Sequence, residues 1–358
     1  MKRLLALALS AAMLLALLGG CGGKPAAQSS GQPSGSGQSA ADGSATKENP
    51  HIWKTGTSAG LVNGHHVIYD FMLQIKDEIE TATDGRYQLE TYHSSQLGSD
   101  RDMLEGTVMG TYQFALVPST FISAYVDDFN VFEFPFLFND TEHFFDVMES
   151  DVAREMGDKL AEHGLVWLGN GMNGILTVSN SQRDLRTLDD FKGLKLRCID
   201  SNIQVEAVNL LGATGTVVNW GETYTALQQH TIDGVITTGS GFLSGKIYEV
   251  NKFHTAFNMF YTPITAVVNK EYWDSLSTED QQLIRDAIGR ALQWDRENSE
   301  AMLDKDMQEC IKLGPMSEVS FEEFDVEGAR AAMQPLYDKY EDAYGDYFDA
   351  IRAMGQPR

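Results

Sequence analysis

The chain is poor in cysteine, with three cysteines in 358 residues: Cys21, Cys198 and Cys310. Their wide separation offers neither the paired spacing of a structural zinc site nor a disulfide framework. We therefore expect apolar cores to hold the fold together, in a chain long enough for two domains. A bridge between Cys198 and Cys310 stays open on the sequence alone, although we expect these two thiols to be unbridged.

Basic residues are also scarce, since 27 lysines and arginines face 51 aspartates and glutamates, for a formal net charge of −24. Nucleic acids and anionic lipid headgroups are attracted by basic patches, so neither is an expected partner. An excess of acidic residues is typical of a well-solvated protein surface.

Signatures of catalysis and of cofactor binding are missing too. Ser119, Ser201 and Ser240 have no Gly-x-Ser-x-Gly context, and no glycine-rich loop would cradle a phosphate. The histidines are scattered except for His65 and His66, and adjacent helical side chains point to different faces. The sequence predicts neither an enzyme, nor a cofactor, nor a metal site.

The only long apolar run is at the start of the chain, over residues 4–18, after Lys2 and Arg3. A membrane span needs about 20 apolar residues, and this run has the length of the apolar part of a secretory signal. It ends at residues 18–21 (LGGC), which resemble a bacterial lipoprotein processing site with Cys21 as the acylated residue. An uncleaved anchor helix is the alternative, and either reading places the body outside the cytoplasm.

The segment after Cys21 is rich in glycine, serine, glutamine, alanine and proline up to about residue 46, without apolar periodicity. Such a composition cannot bury enough apolar surface to offset the entropy of ordering. We predict a signal peptide over 1–20, a flexible tether over 21–49, and lipid anchoring of the protein to the cell membrane.

In the body of the chain, strand-like and helix-like patterns alternate. This alternation predicts an α/β protein with parallel strands in an open twisted sheet. The predicted strands lie at about 52–55, 87–92, 114–117, 165–168, 175–178, 194–199, 216–218, 235–237 and 263–269. The predicted helices begin at 67 and 99 and cover about 141–160, 202–211, 223–229, 277–313 and 326–344.

The helix predicted over 277–313 is unusually long. At 1.5 Å per residue it would measure roughly 50 Å, longer than one lobe of this size, so it should lie across two lobes. We predict that residues 51–174 and 263–302 form the first lobe. Residues 175–262 and 303–358 would form the second.

Several short segments, in order, carry a resemblance to a known family. They are 95–98 (SQLG), 103–106 (MLEG), 134–138 (FPFLF), 188–197 (LDDFKGLKLR), 211–213 (LGA), 222–229 (ETYTALQQ), 233–234 (DG) and 248–250 (YEV). Together they resemble the DctP-type solute-binding proteins of tripartite ATP-independent periplasmic (TRAP) transporters. The resemblance implies two lobes of the periplasmic-binding-protein (Venus flytrap) kind that close on an organic anion. It also implies delivery to the small and large membrane subunits of the transporter.

The resemblance assigns the ligand's acid group to Arg197, in the carboxyl-terminal half of the strand predicted over 194–199. Ligands of open α/β sheets bind beyond the carboxyl ends of strands, and a guanidinium can grip a carboxylate with two parallel hydrogen bonds. Trp220 falls where the family often places an aromatic ring against the ligand.

The chain departs from the family's pattern at two positions. Leu176 stands where many relatives carry a second arginine, and Thr237 stands where an asparagine commonly faces the ligand. A second carboxylate would then lack a cation, which is costly once it is desolvated. We therefore expect a monocarboxylate or a less charged organic solute, with Asn173 and Ser119 completing the ligand-binding set.

A different role uses the same binding site. A protein of this kind could present its ligand to a membrane signalling protein without transporting it. The sequence of this chain alone does not separate a transport receptor from such a sensor.

Overall fold

The computed structural model describes residues 45–314 and 316–355. The predicted signal peptide, Cys21 and all but the last residues of the predicted tether lie outside the described residues. Among the residues described, no helix combines the length and the apolar character that a membrane crossing requires.

The strands described are β1 (His51–Gly56), β2 (Tyr87–Tyr92), β3 (Phe114–Pro118), β4 (Leu165–Asn180), β5 (Lys195–Cys198), β6 (Thr214–Val217), β7 (Gly234–Thr237), β8 (Phe253–Asn269) and β9 (Ser317–Val319). The helices described are α1 (Val67–Ala82), α2 (Asp100–Val108), α3 (Ser119–Ile122), α4 (Thr141–Met148), α5 (Asp151–Asp158), α6 (Asn202–Leu210), α7 (Trp220–Gln228), α8 (Gly239–Ser244), α9 (Ile247–Val250), α10 (Lys270–Asp274), α11 (Thr278–Leu313), α12 (Val326–Ala332) and α13 (Gln334–Met354).

Most strands belong to one mixed sheet in the order β3-β8-β4-β7-β5-β6, with β9 added beside β8. β1 and β2 form a separate parallel pair. The prediction of parallel pairing is therefore wrong for the centre of the sheet, where β8 runs antiparallel to both β3 and β4. Parallel pairing is found where β5 meets β6 and β7. In the chain, α6 connects β5 to β6 and α7 connects β6 to β7.

The two central strands are much longer than predicted. β4 has 16 residues and β8 has 17, so the strands predicted at 165–168 and 175–178 are one strand. The glycine-rich stretch between them looks like a loop in the sequence. Instead, the register shifts beside Gly169 and Gly174, both at positive φ, and the strand continues past these irregularities.

Helix ends follow the capping rules where the sequence has clear signals. α1 is followed by Gly85 at φ +74, and the Gly85 amide donates to the carbonyl of Glu80. α2 begins with a capping box in which Ser99 and Asp102 satisfy each other's backbone amides.

Two helix predictions are wrong because an internal cap at Ser150 and an internal proline, Pro335 in the first turn of α13, were overlooked. The helix predicted over 141–160 is split into α4 and α5, since Ser150 leaves the helix and caps the amide of Ala153. The helix predicted over 326–344 is likewise two helices, α12 and α13, and the second runs on to Met354.

The long helix is confirmed: α11 has 36 residues. Near its start it packs against α1, where Arg290 pairs with Glu78. Near its end it packs against α8, where the Ser240 hydroxyl is bonded to Asp306. It contributes buried side chains to three separate apolar clusters, through Ile284, Leu303 and Cys310 among others. The lobe boundaries proposed from the sequence remain a prediction.

Both described cysteines are free thiols, as expected. Cys198 lies in β5 and Cys310 in α11, each fully buried. Burial raises the pKa of each thiol to about 12, so the reactive thiolate is rare at neutral pH.

We expect iodoacetamide at pH 8 to leave Cys198 and Cys310 unmodified in the native protein, because neither thiol is exposed or ionised. After unfolding in guanidinium chloride without reductant, both should be alkylated, which peptide mass spectrometry can check. A linked Cys198–Cys310 peptide, or rapid labelling of the native protein, would contradict this.

Candidate functional site

A cavity of about 100 Å³ lies between residues of the 57–120 segment and residues of the 197–241 segment. The polar and charged side chains that line it are Thr57, Ser58, His66, Asp100, Thr120, Asn173, Arg197, Gln204, Thr237, Thr238 and Thr262. The larger apolar ones are Ile68, Leu176, Ile199, Trp220 and Ile236.

The structure brings five of the six predicted ligand residues together around this cavity: Asn173, Leu176, Arg197, Trp220 and Thr237. It does not bring Ser119 to the cavity wall. Ser119 is fully buried, and its hydroxyl is hydrogen-bonded to that of Thr265 at 2.6 Å, although both sequence neighbours of Ser119 line the cavity.

Arg197 occupies the third position of β5, with 7 % of its surface exposed. Its Nε donates to the carbonyl of Val218 at 2.9 Å, and its guanidinium carbon lies 5.5 Å from the centre of the Trp220 ring. The carbonyl fixes one edge of the guanidinium and the indole packs on it, so the side chain is held in place before any ligand arrives.

The charge of Arg197 has no acidic partner within 4.0 Å in the described part of the chain. Burial lowers its pKa to about 10, which still leaves the guanidinium charged at neutral pH. A buried cation without a counter-ion is costly, and an incoming carboxylate would supply the missing negative charge.

Leu176 is buried and lines the cavity, at the position for which the family resemblance implies a second arginine. His66 also lines it, but its Nδ1 accepts the amide of Ile68 at the start of α1. Burial lowers the pKa of His66 to about 3, so it is neutral at physiological pH. Arg197 is therefore the one permanent cation among the lining residues described.

Asn173 reaches the cavity from the irregular part of β4, where the pairing with β8 shifts between Met172 and Gly174. Its Nδ2 donates to the hydroxyl of Thr262 at 3.2 Å. Behind the strand, the Met172 amide donates to Asp295 of α11 at 2.7 Å. The long helix thus supports the bulge that presents Asn173.

Sequence reasoning missed several lining residues. Asp100 is the first residue of α2, after the capping Ser99, yet it lines the cavity, and its carboxylate accepts the amide and the hydroxyl of Ser58. Burial raises the pKa of Asp100. Gln204, in the first turn of α6, was also missed; a buried amide at a helix start gives no distinctive signal in one sequence.

These features define a class of protein: a two-lobed α/β binding protein with a buried, unneutralised guanidinium in its cavity wall. The family described as bacterial extracellular solute-binding protein, family 7 (DctP) matches residues 59–343. The chain belongs to this family of TRAP solute-binding proteins, whose members are extracytoplasmic.

Two characterised relatives are similar over most of their length. The C4-dicarboxylate-binding periplasmic protein DctP of Rhodobacter capsulatus is 30% identical over 74% of this chain and 80% of its own. The 2,3-diketo-L-gulonate-binding periplasmic protein YiaO of Escherichia coli is 29% identical over 66% of this chain and 71% of its own.

Solved structures agree with this fold. A TRAP solute-binding protein from Xanthobacter autotrophicus with bound β-D-galacturonate superposes with a TM-score of 0.77 at 26% identity, covering 84% of this chain and 99% of that one. One from Polaromonas with bound D-erythronate gives 0.75 at 26% identity, covering 86% and 99%.

Asp295 allows a test of the support behind Asn173. Its Oδ1 has no hydrogen-bond partner among the described residues, and burial raises its pKa to about 7. The folded state therefore holds a proton that the unfolded state releases near pH 4. The stability linked to this proton is complete below that value and is lost as the pH rises towards 7.

We expect Asp295→Asn, which can still accept the Met172 amide, to gain stability relative to the wild type as the pH rises from 4 to 8. Each unit of pKa difference corresponds to about 1.4 kcal/mol in the free energy of unfolding. Urea unfolding at several pH values measures this, with Asp304→Asn at an exposed position of the same helix as the control. A pH-independent difference would contradict it.

Proposed function

We propose that this protein captures a hydroxylated monocarboxylate of the sugar-acid class and delivers it to the membrane subunits of a TRAP transporter. The observation that carries the proposal is the buried guanidinium of Arg197, which lines the cavity without an acidic partner in the described chain. A ligand carboxylate can accept hydrogen bonds from its free nitrogens while packing beside Trp220.

The rest of the cavity favours one carboxylate over two. The position of a possible second cation holds Leu176, and the lining histidine is neutral. For this reason a C4-dicarboxylate, the ligand in the name of the Rhodobacter relative, is not the ligand proposed for this chain. The ligands of the two solved relatives, galacturonate and erythronate, each combine one carboxyl group with several hydroxyls.

Polar lining residues suit the hydroxyl groups of such a ligand. Asp100 offers carboxylate oxygens, while Asn173, Thr237 and Thr262 offer amide and hydroxyl groups. Each could exchange hydrogen bonds with a sugar-acid hydroxyl that loses its water on entering the cavity.

We further propose that the protein is held at the membrane through an acylated Cys21. The proposal rests on residues 18–21 and on the preceding apolar run. A tether between the lipid and the body would let the binding cavity meet the transporter in different orientations.

We expect D-galacturonate to stabilise the wild type against heat, by about 2.7 kcal/mol at 100 times its dissociation constant. Arg197→Ala should lose affinity by 100-fold or more, because the carboxylate then has no cation. Arg197→Lys should recover only part of it, since an ammonium lacks the planar fork. Isothermal calorimetry measures both.

The matched control is Arg290→Ala, which removes an exposed arginine of α11 that pairs with Glu78. It should bind D-galacturonate like the wild type. Unchanged affinity in a folded Arg197→Ala variant would overturn the proposed role of Arg197.

Leu176→Arg should shift preference towards dicarboxylates, because it places a second cation on the cavity wall. We expect the affinity for succinate relative to D-galacturonate to rise by tenfold or more, as measured by calorimetry. Leu176→Met, which adds no charge, is the control. Tighter binding of succinate than of D-galacturonate by the wild type would refute the monocarboxylate assignment.

A further inference from the structure

Glu133 is a fully buried carboxyl group that none of the roles above uses. It lies in the aromatic run over 132–138, where its neighbours in the chain, Phe132 and Phe134, are also buried. Burial raises its pKa, and no basic side chain of the described residues lies within ion-pair distance. A buried acid of this kind is retained only where hydrogen bonds compensate its desolvation.

Its two hydrogen bonds come from neutral side chains on different helices. The Thr120 hydroxyl of α3 donates to Oε1 at 2.6 Å, and the Gln204 amide nitrogen of α6 donates to Oε2 at 2.6 Å. Both bonds favour the ionised form of Glu133. Thr120 and Gln204 also line the ligand cavity, although Glu133 does not.

The two bonds determine what these side chains can offer to a ligand. Thr120 has one hydroxyl proton, which it donates in its hydrogen bond to Glu133. Only the lone pairs of its oxygen then remain for a ligand. The Gln204 amide turns its nitrogen to Glu133, which leaves its oxygen on the other side. That Oε1 is buried and has no hydrogen-bond partner among the described residues. Buried oxygens of this kind nearly always accept a hydrogen bond in the functional state of a protein.

We propose that Glu133 is a positioning residue that fixes Thr120 and Gln204 as hydrogen-bond acceptors facing the ligand, so that the protein selects hydroxy acids over the corresponding keto acids. The inference rests on the proposed function, in which Arg197 binds the carboxylate. A hydroxyl can donate to the two acceptors. A keto oxygen has only lone pairs and would leave Gln204 Oε1 unsatisfied.

The test compares D-erythronate with its 2-keto and 3-keto analogues, whose four-carbon chains are too short to close into cyclic hemiketals, by calorimetry at pH 8, which favours the ionised form of Glu133. The wild type should bind D-erythronate at least tenfold more tightly than the weaker of the two keto acids. In Glu133→Gln, the new amide N–H faces either Gln204, which then turns its own oxygen towards residue 133 and its nitrogen towards the cavity, or Thr120, which then keeps its hydroxyl proton for the cavity. Either orientation gives the cavity a hydrogen-bond donor, and the preference should fall to threefold or less.

Glu206→Gln is the matched control, because it makes the same chemical change on α6 in a residue that pairs with Lys339 and does not line the cavity. Its preference should equal that of the wild type. If Glu133→Gln does not fold, Gln204→Leu replaces it. That variant removes the acceptor itself and should also reduce the preference to threefold or less.

Binding of D-galacturonate to the same wild-type sample separates the inference about Glu133 from the proposed function. A wild type that binds D-galacturonate but does not prefer D-erythronate to either keto acid overturns the inference and leaves the proposed function standing. A preference that survives in folded Glu133→Gln or Gln204→Leu overturns it too. Failure of the wild type to bind any of these acids would overturn the proposed function itself.

Discussion

The binding site depends on a positive charge that the protein buries without neutralising it. Arg197 is held by a backbone carbonyl and by the Trp220 ring, and neither cancels its charge. This arrangement costs stability in the unliganded protein, and under the proposed function it concentrates the gain from binding on the ligand's acid group. The short strand β5 makes this possible, because it ends at the cavity and fixes the base of the side chain between β6 and β7.

The opposite wall depends on irregular backbone inside regular strands. β4 and β8 stay paired over most of their length, yet the register shift beside Gly174 turns Asn173 towards the cavity. Asp295 on α11 satisfies the Met172 amide exposed by the shift. A bulge can aim a side chain accurately only if its unpaired backbone groups find partners, and here the long helix supplies one.

Residues with strong local signals were predictable from the sequence, and those defined by distant contacts were not. Arg197 stands in a family motif, Trp220 falls where the resemblance implies an aromatic ring, and α11 begins after the capping Ser277 and ends at Gly314. The length of β4 was missed because pairing with β8 overrides the loop-like glycines. Gln204 was missed since its importance comes from Glu133, 71 positions earlier in the chain. One hint was available: a lone acid among phenylalanines in 132–138 requires buried partners.

Three apolar clusters share α11, and this affects how the molecule unfolds. Ile284, Leu303 and Cys310 belong to different clusters along one continuous hydrogen-bonded rod. Local unfolding of α11 at any point would remove packing contacts from the clusters on either side. Partial unfolding of one region therefore gains little chain entropy before it destabilises the others. The helix therefore links the cores into one cooperative unit, and partly melted forms that would be substrates for proteases should be rare.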